Sequence, residues 1–373
     1  MKKIKEWVKQ SFPNLQTLYK KIMAKTWSTD SIVYYTGNHH EGLTPDSLKV
    51  GASGSHAAVI YLAREWAKLG HEVTVYSNCG DQEGTYDGVK YVNYYKFNWC
   101  DRFDTVIIWR HSTLVQYPIN TKNLWLDWHD TLGPAKAFTT ERLEPFDKIF
   151  SKSNYQRQLL PQFNDDKFVV IHNGVSEEIS KLYNKPKNPH KLIYGSRYYR
   201  GLEYMLTYGW PIIKREIPEA ELHLYYGFTK RDNQPKHAEW RKKMVDLMSQ
   251  PGVFDHGRVS QDKILEEKST SLIHYYGCTY PEIDCISVRE SAMVGCIPVM
   301  TDLAALGEKP YGIKVSGDPE SQETQEAVAY KVIELLREDP EKLQLIREEF
   351  KQLAQEETWE KIAPIWLKYQ QKE

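Results

Sequence analysis

Pro281-Glu282-Ile283-Asp284-Cys285-Ile286-Ser287-Val288-Arg289-Glu290, running on through Ser291 to Met300, reads as a loop that turns into a short helix and then a strand. Gly295 closes a helix over Ser287 to Val294, and Pro298 just beyond it opens a strand. Glu282 precedes that helix and Glu290 lies one turn inside it, so two carboxylates straddle a loop-to-helix junction. Free N–H groups at a helix start attract an anion. A diphosphate suits that place, with Glu282 facing a sugar and Glu290 a vicinal diol. Two glutamates on a solvated helix would look the same in isolation, so the surrounding pattern has to decide.

Outward from this segment, short apolar runs rich in Val, Ile and Tyr alternate with longer stretches of helical periodicity. Strands are expected at Ile32–Thr36, Glu72–Ser77, Val89–Tyr95, Thr105–Trp109, Leu124–Trp128, Lys148–Ser151 and Phe168–Ile171. A second series follows at Leu192–Tyr194, Glu221–Tyr226, Ser271–Tyr276 and Ile297–Thr301. Helices are expected over Ala57–Leu69, ended by Gly70, and over Leu202–Arg215. Such alternation belongs to doubly wound parallel sheets, and two series imply two of them. The fold class is therefore α/β, with two Rossmann-like domains. Asn173-Gly174, Asn184, Pro186, Asn188 and Pro189 break the periodicity between them. The chain divides into a leader over 1–28, a first domain over 29–175, a second over 190–345, and a C-terminal helix over 346–373 that can pack back on the first.

A length of 373 residues suffices for two cores. The 49 Lys and Arg against 50 Asp and Glu leave a formal charge of −1, so no basic field favours nucleic acid. Apolar runs are strand-sized, far below the ~20 residues of a membrane span. Five cysteines without a CxxC pair speak against a disulfide framework or a structural zinc, and fit a cytoplasmic protein. The leader carries Trp7, Val8, Phe12, Leu15, Leu18, Ile22 and Met23 at roughly helical spacing among several Lys. It reads as a helix packed on the domain, or as a basic amphipathic segment in peripheral contact with an anionic membrane. The sequence leaves the oligomeric state open.

Four further segments carry candidate chemistry. Leu192 to Leu202 is a strand ending in a turn with two guanidinium groups, Arg197 and Arg200, which can stabilise charge on a departing diphosphate without a metal. Gly51-Ala52-Ser53-Gly54-Ser55-His56 precedes a helix, and its small residues, Gly51, Ser53 and Gly54, let backbone approach a phosphate or sugar. Leu124 to Asp130 ends a strand with His129 at the carboxyl edge, where open α/β sheets bind ligands. His111 is the weaker alternative. His256 to Ser260 is a strand-end loop whose backbone at Arg258 and Val259 could read a base edge. No DxD, GxSxG, HExxH or P-loop sequence is present, so no metal site is expected. Trp99, Trp125 and Trp128 suit core packing better than stacking on a sugar.

The Glu282-x7-Glu290 pair, followed by Ala292, Met293, Gly295, Pro298-Val299, Ala304, Ala305, Gly307 and Glu308, resembles the signature of retaining glycosyltransferases of the GT-B fold, in the large family-four group. Arg200-Gly201, the glycine-rich loop before Gly70-His71-Glu72-Val73, and the turn Asn173-Gly174-Val175 extend the resemblance from about Gly51 to about Glu308. It implies that Glu282 and His129 orient the transferred sugar and that Glu290 binds ribose. It further implies that Arg197, Arg200 and the helix start at Cys285, Ile286 and Ser287 hold the diphosphate. The substrate would be a nucleotide diphosphate sugar, UDP or GDP as carrier, with no separate cofactor, and the acceptor a glycan, lipid or protein-linked carbohydrate. Retention would follow from front-face departure of the diphosphate. The common Phe-Gly after the first glutamate is replaced by Asp284-Cys285, which leaves the donor sugar open. A hydrolysing nucleotide-sugar epimerase and a non-catalytic glycan-binding protein on the same architecture are the alternatives.

Overall fold

The computed structural model describes residues 13–39, 41–132 and 137–371. Of the leader, Trp7, Val8 and Phe12 lie outside these residues. Eight strands form the first sheet: β1 (Ile32–Tyr35), β2 (Val73–Ser77), β3 (Gly84–Tyr86), β4 (Val89–Asn93), β5 (Arg102–Trp109), β6 (Asn120–Asp127), β7 (Lys148–Ser151) and β8 (Phe168–Val170). Their order is β3-β4-β2-β1-β5-β6-β7-β8, parallel except for the β3-β4 hairpin. Six more, β9 (Asn188–Tyr194), β10 (Glu221–Leu224), β11 (Val253–Asp255), β12 (Ser271–Tyr276), β13 (Ile297–Thr301) and β14 (Ile313–Val315), form a parallel sheet ordered β11-β10-β9-β12-β13-β14. The α/β, two-domain expectation holds.

The burial of the strands explains their sequences. Val106, Ile107, Ile108 and Trp109 on β5 are all covered, as parallel strands with helices on both faces must be. Three strands that periodicity does not reveal, β3, β11 and β14, are three residues each and lie at sheet edges, too short for any alternation. Pro189 falls inside β9 rather than in a linker. It is tolerated because pairing with β12 is irregular there, slipping between Ser271 and Ile273.

In each sheet the order reverses once, at β1/β5 and at β9/β12, and the crevice outside the strand ends at such a point is where ligands bind. The segments that follow β1, β9 and β12 all open into the cleft between the domains.

The C-terminal segment corrects the sequence-based division at 345/346, which falls inside a helix. Helix Pro340–Gln355 packs on the second core through Leu343, Ile346, Phe350 and Leu353. The chain then crosses: Val175 N donates to the Glu357 carbonyl and Trp359 N to the Val175 carbonyl, both at 2.9 Å. Helix Trp359–Leu367 lies on the first domain, with Trp366 stacked on Phe150 at 3.7 Å and Trp66 Nε1 donating to the Ala363 carbonyl at 3.1 Å. The apolar spacing of Trp359, Ile362 and Trp366 is what directs it to a second surface.

Candidate functional site

A cleft of about 480 Å³ separates the domains, and the residues assigned from the sequence to the donor and the transferred sugar all line it. Glu282, Cys285, Ile286, Ser287 and Glu290 come from the segment after β12, Arg197 and Arg200 from the turn after β9, and Arg258 and Val259 from the loop after β11. Gly51, Ser53, Gly54 and His129 face them from the first domain. His111 is not among the lining residues; its Nδ1 pairs with the Thr113 hydroxyl at 2.5 Å. Trp125 and Trp128 are fully buried.

The turn after β9 is set by Gly201, whose φ of 112° is left-handed and whose added Cβ would lie 2.2 Å from the Gly277 carbonyl oxygen. Only glycine lets the Arg200 loop press against the loop after β12. Arg200 Nη1 then donates to Glu282 Oε1 at 2.5 Å, and the Tyr276 hydroxyl donates to the same oxygen at 2.7 Å. Burial pushes the Tyr276 hydroxyl well above its ordinary pKa, so it remains a donor. The Arg200 guanidinium also sits 4.5 Å from the Tyr280 ring, and its Nε is buried without a hydrogen-bond partner. Arg197 is steadied by the hydroxyls of Tyr226 (2.8 Å) and Tyr199 (3.2 Å).

The helix that starts at the cleft runs Ile286–Met293, one residue earlier at each end than its sequence suggests, because Cys285 caps it in the left-handed region (φ 64°). Burial, and after it the Glu282 carboxylate, push the Cys285 thiol up to about 12, so it is an uncharged wall of the pocket rather than a nucleophile. Asp284, which departs from the signature the sequence resembles, is buried at the cleft wall with its carboxylate engaged by the protein. Its Oδ1 accepts from Arg289 Nη2 at 2.9 Å and from Lys309, and its Oδ2 from the Asn173 amide at 3.0 Å. Arg289 continues to Glu357 Oε2 at 2.5 Å. This buried network ties the loop after β12 to the interdomain turn and to the C-terminal crossing. Burial raises the Asp284 pKa, but Arg289 and Lys309 outweigh that and hold it well below the carboxylate range.

His129 Nε2 meets Asp127 Oδ2 at 2.9 Å. Asp127 is fully buried and also pairs with Lys152 and accepts from the Tyr34 hydroxyl. Burial first, with the Lys152 and Arg110 charges, lowers the His129 pKa despite the opposing Asp127 carboxylate, which keeps the ring neutral at pH 7. With Nε2 committed to Asp127, Nδ1 is the atom available to a ligand.

Several site residues escaped the sequence reading. Lys268 is buried beneath Glu290, with Nζ 2.6 Å from Oε2. On the first-domain wall His39, Glu41 and His56 bring ligand-type atoms within 4.8 Å of one another. They are engaged with neighbours: His56 Nε2 with His39 Nδ1 at 3.2 Å, His56 Nδ1 with Ser53 Oγ at 2.8 Å, and His39 Nε2 with Arg110 Nη1 at 3.0 Å. Arg258 Nη1 lies 3.5 Å from Glu41. Two guanidinium groups beside this grouping oppose a cation there. Arg258 also donates to the Gly51 carbonyl, through Nη2 at 2.6 Å and Nε at 3.0 Å, and Glu308 accepts from the amides of Asn154 (2.9 Å) and Tyr155 (2.5 Å). Both contacts bridge the domains.

No protein-family profile matches the sequence, and no curated protein does. Solved structures do. Sucrose-phosphate synthase from Thermosynechococcus elongatus superposes with a TM-score of 0.68 at 12% identity, over 91% of this chain and 98% of that one. A glycosyltransferase from Rickettsia africae gives 0.68 at 14% identity, over 92% and 98%. HepE from Anabaena, in complex with UDP and glucose, gives 0.62 at 14% identity, over 91% and 98%. At these identities the likeness is one of fold, the GT-B arrangement of two Rossmann-like domains about a cleft.

Proposed function

We propose that the protein is a nucleotide-sugar-dependent glycosyltransferase that moves a monosaccharide to a carbohydrate-containing acceptor with retention and without a metal. The observation that carries this reading is the convergence in one cleft of Arg200, Arg197 and the start of helix Ile286–Met293 beside the carboxylates Glu282 and Glu290. Three sources of positive potential there match a pyrophosphate, whose charge grows as it leaves. Glu290 would take ribose hydroxyls. Glu282 and neutral His129 would hold the sugar from opposite walls, and Arg258 and Val259 would border the base. UDP or GDP is the carrier in this reading, and the acceptor enters along the first domain past His39, Glu41 and Arg110. Closure of the domains would keep water from the activated sugar.

Under this reading the chain's residues stabilise charge and orient hydroxyls, and the departing diphosphate takes the acceptor proton on the same face. A buried role for Asp284 removes the reason to treat the changed motif as a sign of lost activity. Screening nucleotide diphosphate sugars for thermal stabilisation tests the reading, because a ligand bound only to the folded state raises stability by mass action, about 2.7 kcal/mol at a hundredfold excess over Kd. A shift with UDP- or GDP-sugars supports it, and no shift with any of them contradicts it.

We also propose a cytoplasmic location with peripheral membrane contact. No described helix is long and apolar enough to cross a membrane. Helix Pro13–Ile22 presents Leu18, Tyr19 and Ile22 to solvent at 53%, 64% and 71% exposure, and Met23 just beyond it is 58% exposed. Its Lys20 turns inward instead, Nζ donating to the Phe97 carbonyl at 2.6 Å and lying 3.5 Å from the Trp99 ring. An outward apolar face with Lys21 and Lys25 beside it fits an anionic lipid surface.

A further inference from the structure

We infer that Lys268 and Gln261 are positioning residues that clamp Glu290 as a fixed double acceptor, so that the cleft selects ribonucleotides over deoxyribonucleotides. The inference rests on the proposed nucleotide site and adds to it two residues and a specificity.

Lys268 lies on helix Gln261–Thr270, in the run Glu266-Glu267-Lys268-Ser269, where a lysine would ordinarily reach for water. Here its side chain is only 1% exposed. An ammonium has three donors, and all three find acceptors: Glu290 Oε2 at 2.6 Å, the Ser287 carbonyl at 2.9 Å and the Ser287 hydroxyl at 2.9 Å. The lysine therefore has no donor left for a ligand and acts through the residues it holds. From the other side Gln261 Nε2 donates to Glu290 Oε1 at 2.5 Å. One donor on each oxygen fixes the plane of the carboxylate.

A carboxylate offers about four lone-pair directions. Two are spent on Lys268 and Gln261. The other two remain on a carboxylate that is 8% exposed and borders the cleft. Two acceptor directions on one rigid, charged group match two adjacent hydroxyls. A sugar without them would leave those directions unsatisfied in a site with little water, which costs far more than the same loss in solvent. The burial of Lys268 is itself costly, and only a fully partnered ammonium tolerates it.

The test compares binding of uridine and guanosine diphosphates with that of their 2′,3′-dideoxy forms by isothermal titration, for the wild-type chain, Lys268→Met and Gln261→Leu. The expected wild-type preference for the ribose form is about tenfold or more. Lys268→Met should reduce it to within about threefold, and Gln261→Leu, at the half-buried rim, should reduce it in part while leaving the thermal melt unchanged. The Gln261 variant keeps the inference falsifiable if Lys268→Met does not fold. A preference that survives in both variants overturns the inference, as does an equal weakening of ribose and dideoxy forms, which would mean direct contact with the diphosphate. If the wild type binds no nucleotide at all, the proposed function itself fails. If it binds both forms equally, the clamp and the ribose contact of Glu290 fail while the diphosphate site stands.

Discussion

Arg200 and Glu282 stand beyond the carboxyl ends of adjacent strands β9 and β12 and meet through a 2.5 Å hydrogen bond from Nη1 to Oε1. The guanidinium that would grip a diphosphate is therefore paired with the carboxylate that would face the sugar. Donor binding has to share this pair between the two halves of one substrate.

That sharing separates two variants. Arg200→Ala should weaken binding of the nucleoside diphosphate about tenfold or more, the loss of a hydrogen-bonded charge. Glu282→Ala frees Arg200 and should leave donor affinity within about threefold while lowering kcat about a hundredfold. Calorimetric binding and steady-state kinetics on both variants check this; equal effects of the two substitutions on affinity would contradict it.

His129 should work as a neutral ring. Its pKa is lowered in the folded protein, mainly by burial. The folded state thus binds fewer protons than the unfolded chain, and its contribution to stability is lost as pH falls below the unfolded value of about 6.5. His129→Asn should flatten the stability profile over the interval below about pH 6.5 and reduce turnover about tenfold or more. A wild-type melting temperature that does not change across that interval would count against the assignment.

Asp284 carries a different prediction. Replacing it by Ala leaves Arg289 and Lys309 buried without their shared partner, a loss of about 3–5 kcal/mol. Because its folded pKa is depressed, the stabilisation is complete above about pH 4 and fades as pH drops further. Denaturant melts of wild type and Asp284→Ala should converge on acidification below pH 4, and a gap that widens there would refute the account.

The outward face of helix Pro13–Ile22 predicts retention on vesicles containing phosphatidylglycerol and none on pure phosphatidylcholine. Leu18→Glu with Ile22→Glu should abolish flotation without altering nucleotide binding. Retention unchanged by this double variant would show that another surface, or none, meets the lipid.

Much of this architecture is legible in the sequence because buried parallel strands leave runs such as Val106-Ile107-Ile108-Trp109, and because glycine and proline mark where helices stop. The edge strands β3, β11 and β14 are not: three residues cannot show a period, and unlike Phe168-Val169-Val170 of β8 none of them is a continuous apolar run. Glu282, Glu290 and Arg200 stand out by local spacing. Lys268 does not: a lysine among glutamates reads as a solvated face, and only the docking of its helix against Ile286–Met293 turns it inward. Asp284 was visible as a departure, but its reason lies at Asn173, Lys309 and Arg289, joined only by tertiary packing. The same is true of the approach of His39 to His56 across the end of β1 and the start of helix Gly54–Lys68.

The most direct measurement is a crystal structure of the protein with bound UDP or GDP. The account predicts the diphosphate within hydrogen-bond distance of Arg200 and the backbone amides at Ile286 and Ser287, with ribose hydroxyls on Glu290. A nucleotide seated elsewhere, or a diphosphate that makes no contact with Arg200 at saturating ligand, would contradict it.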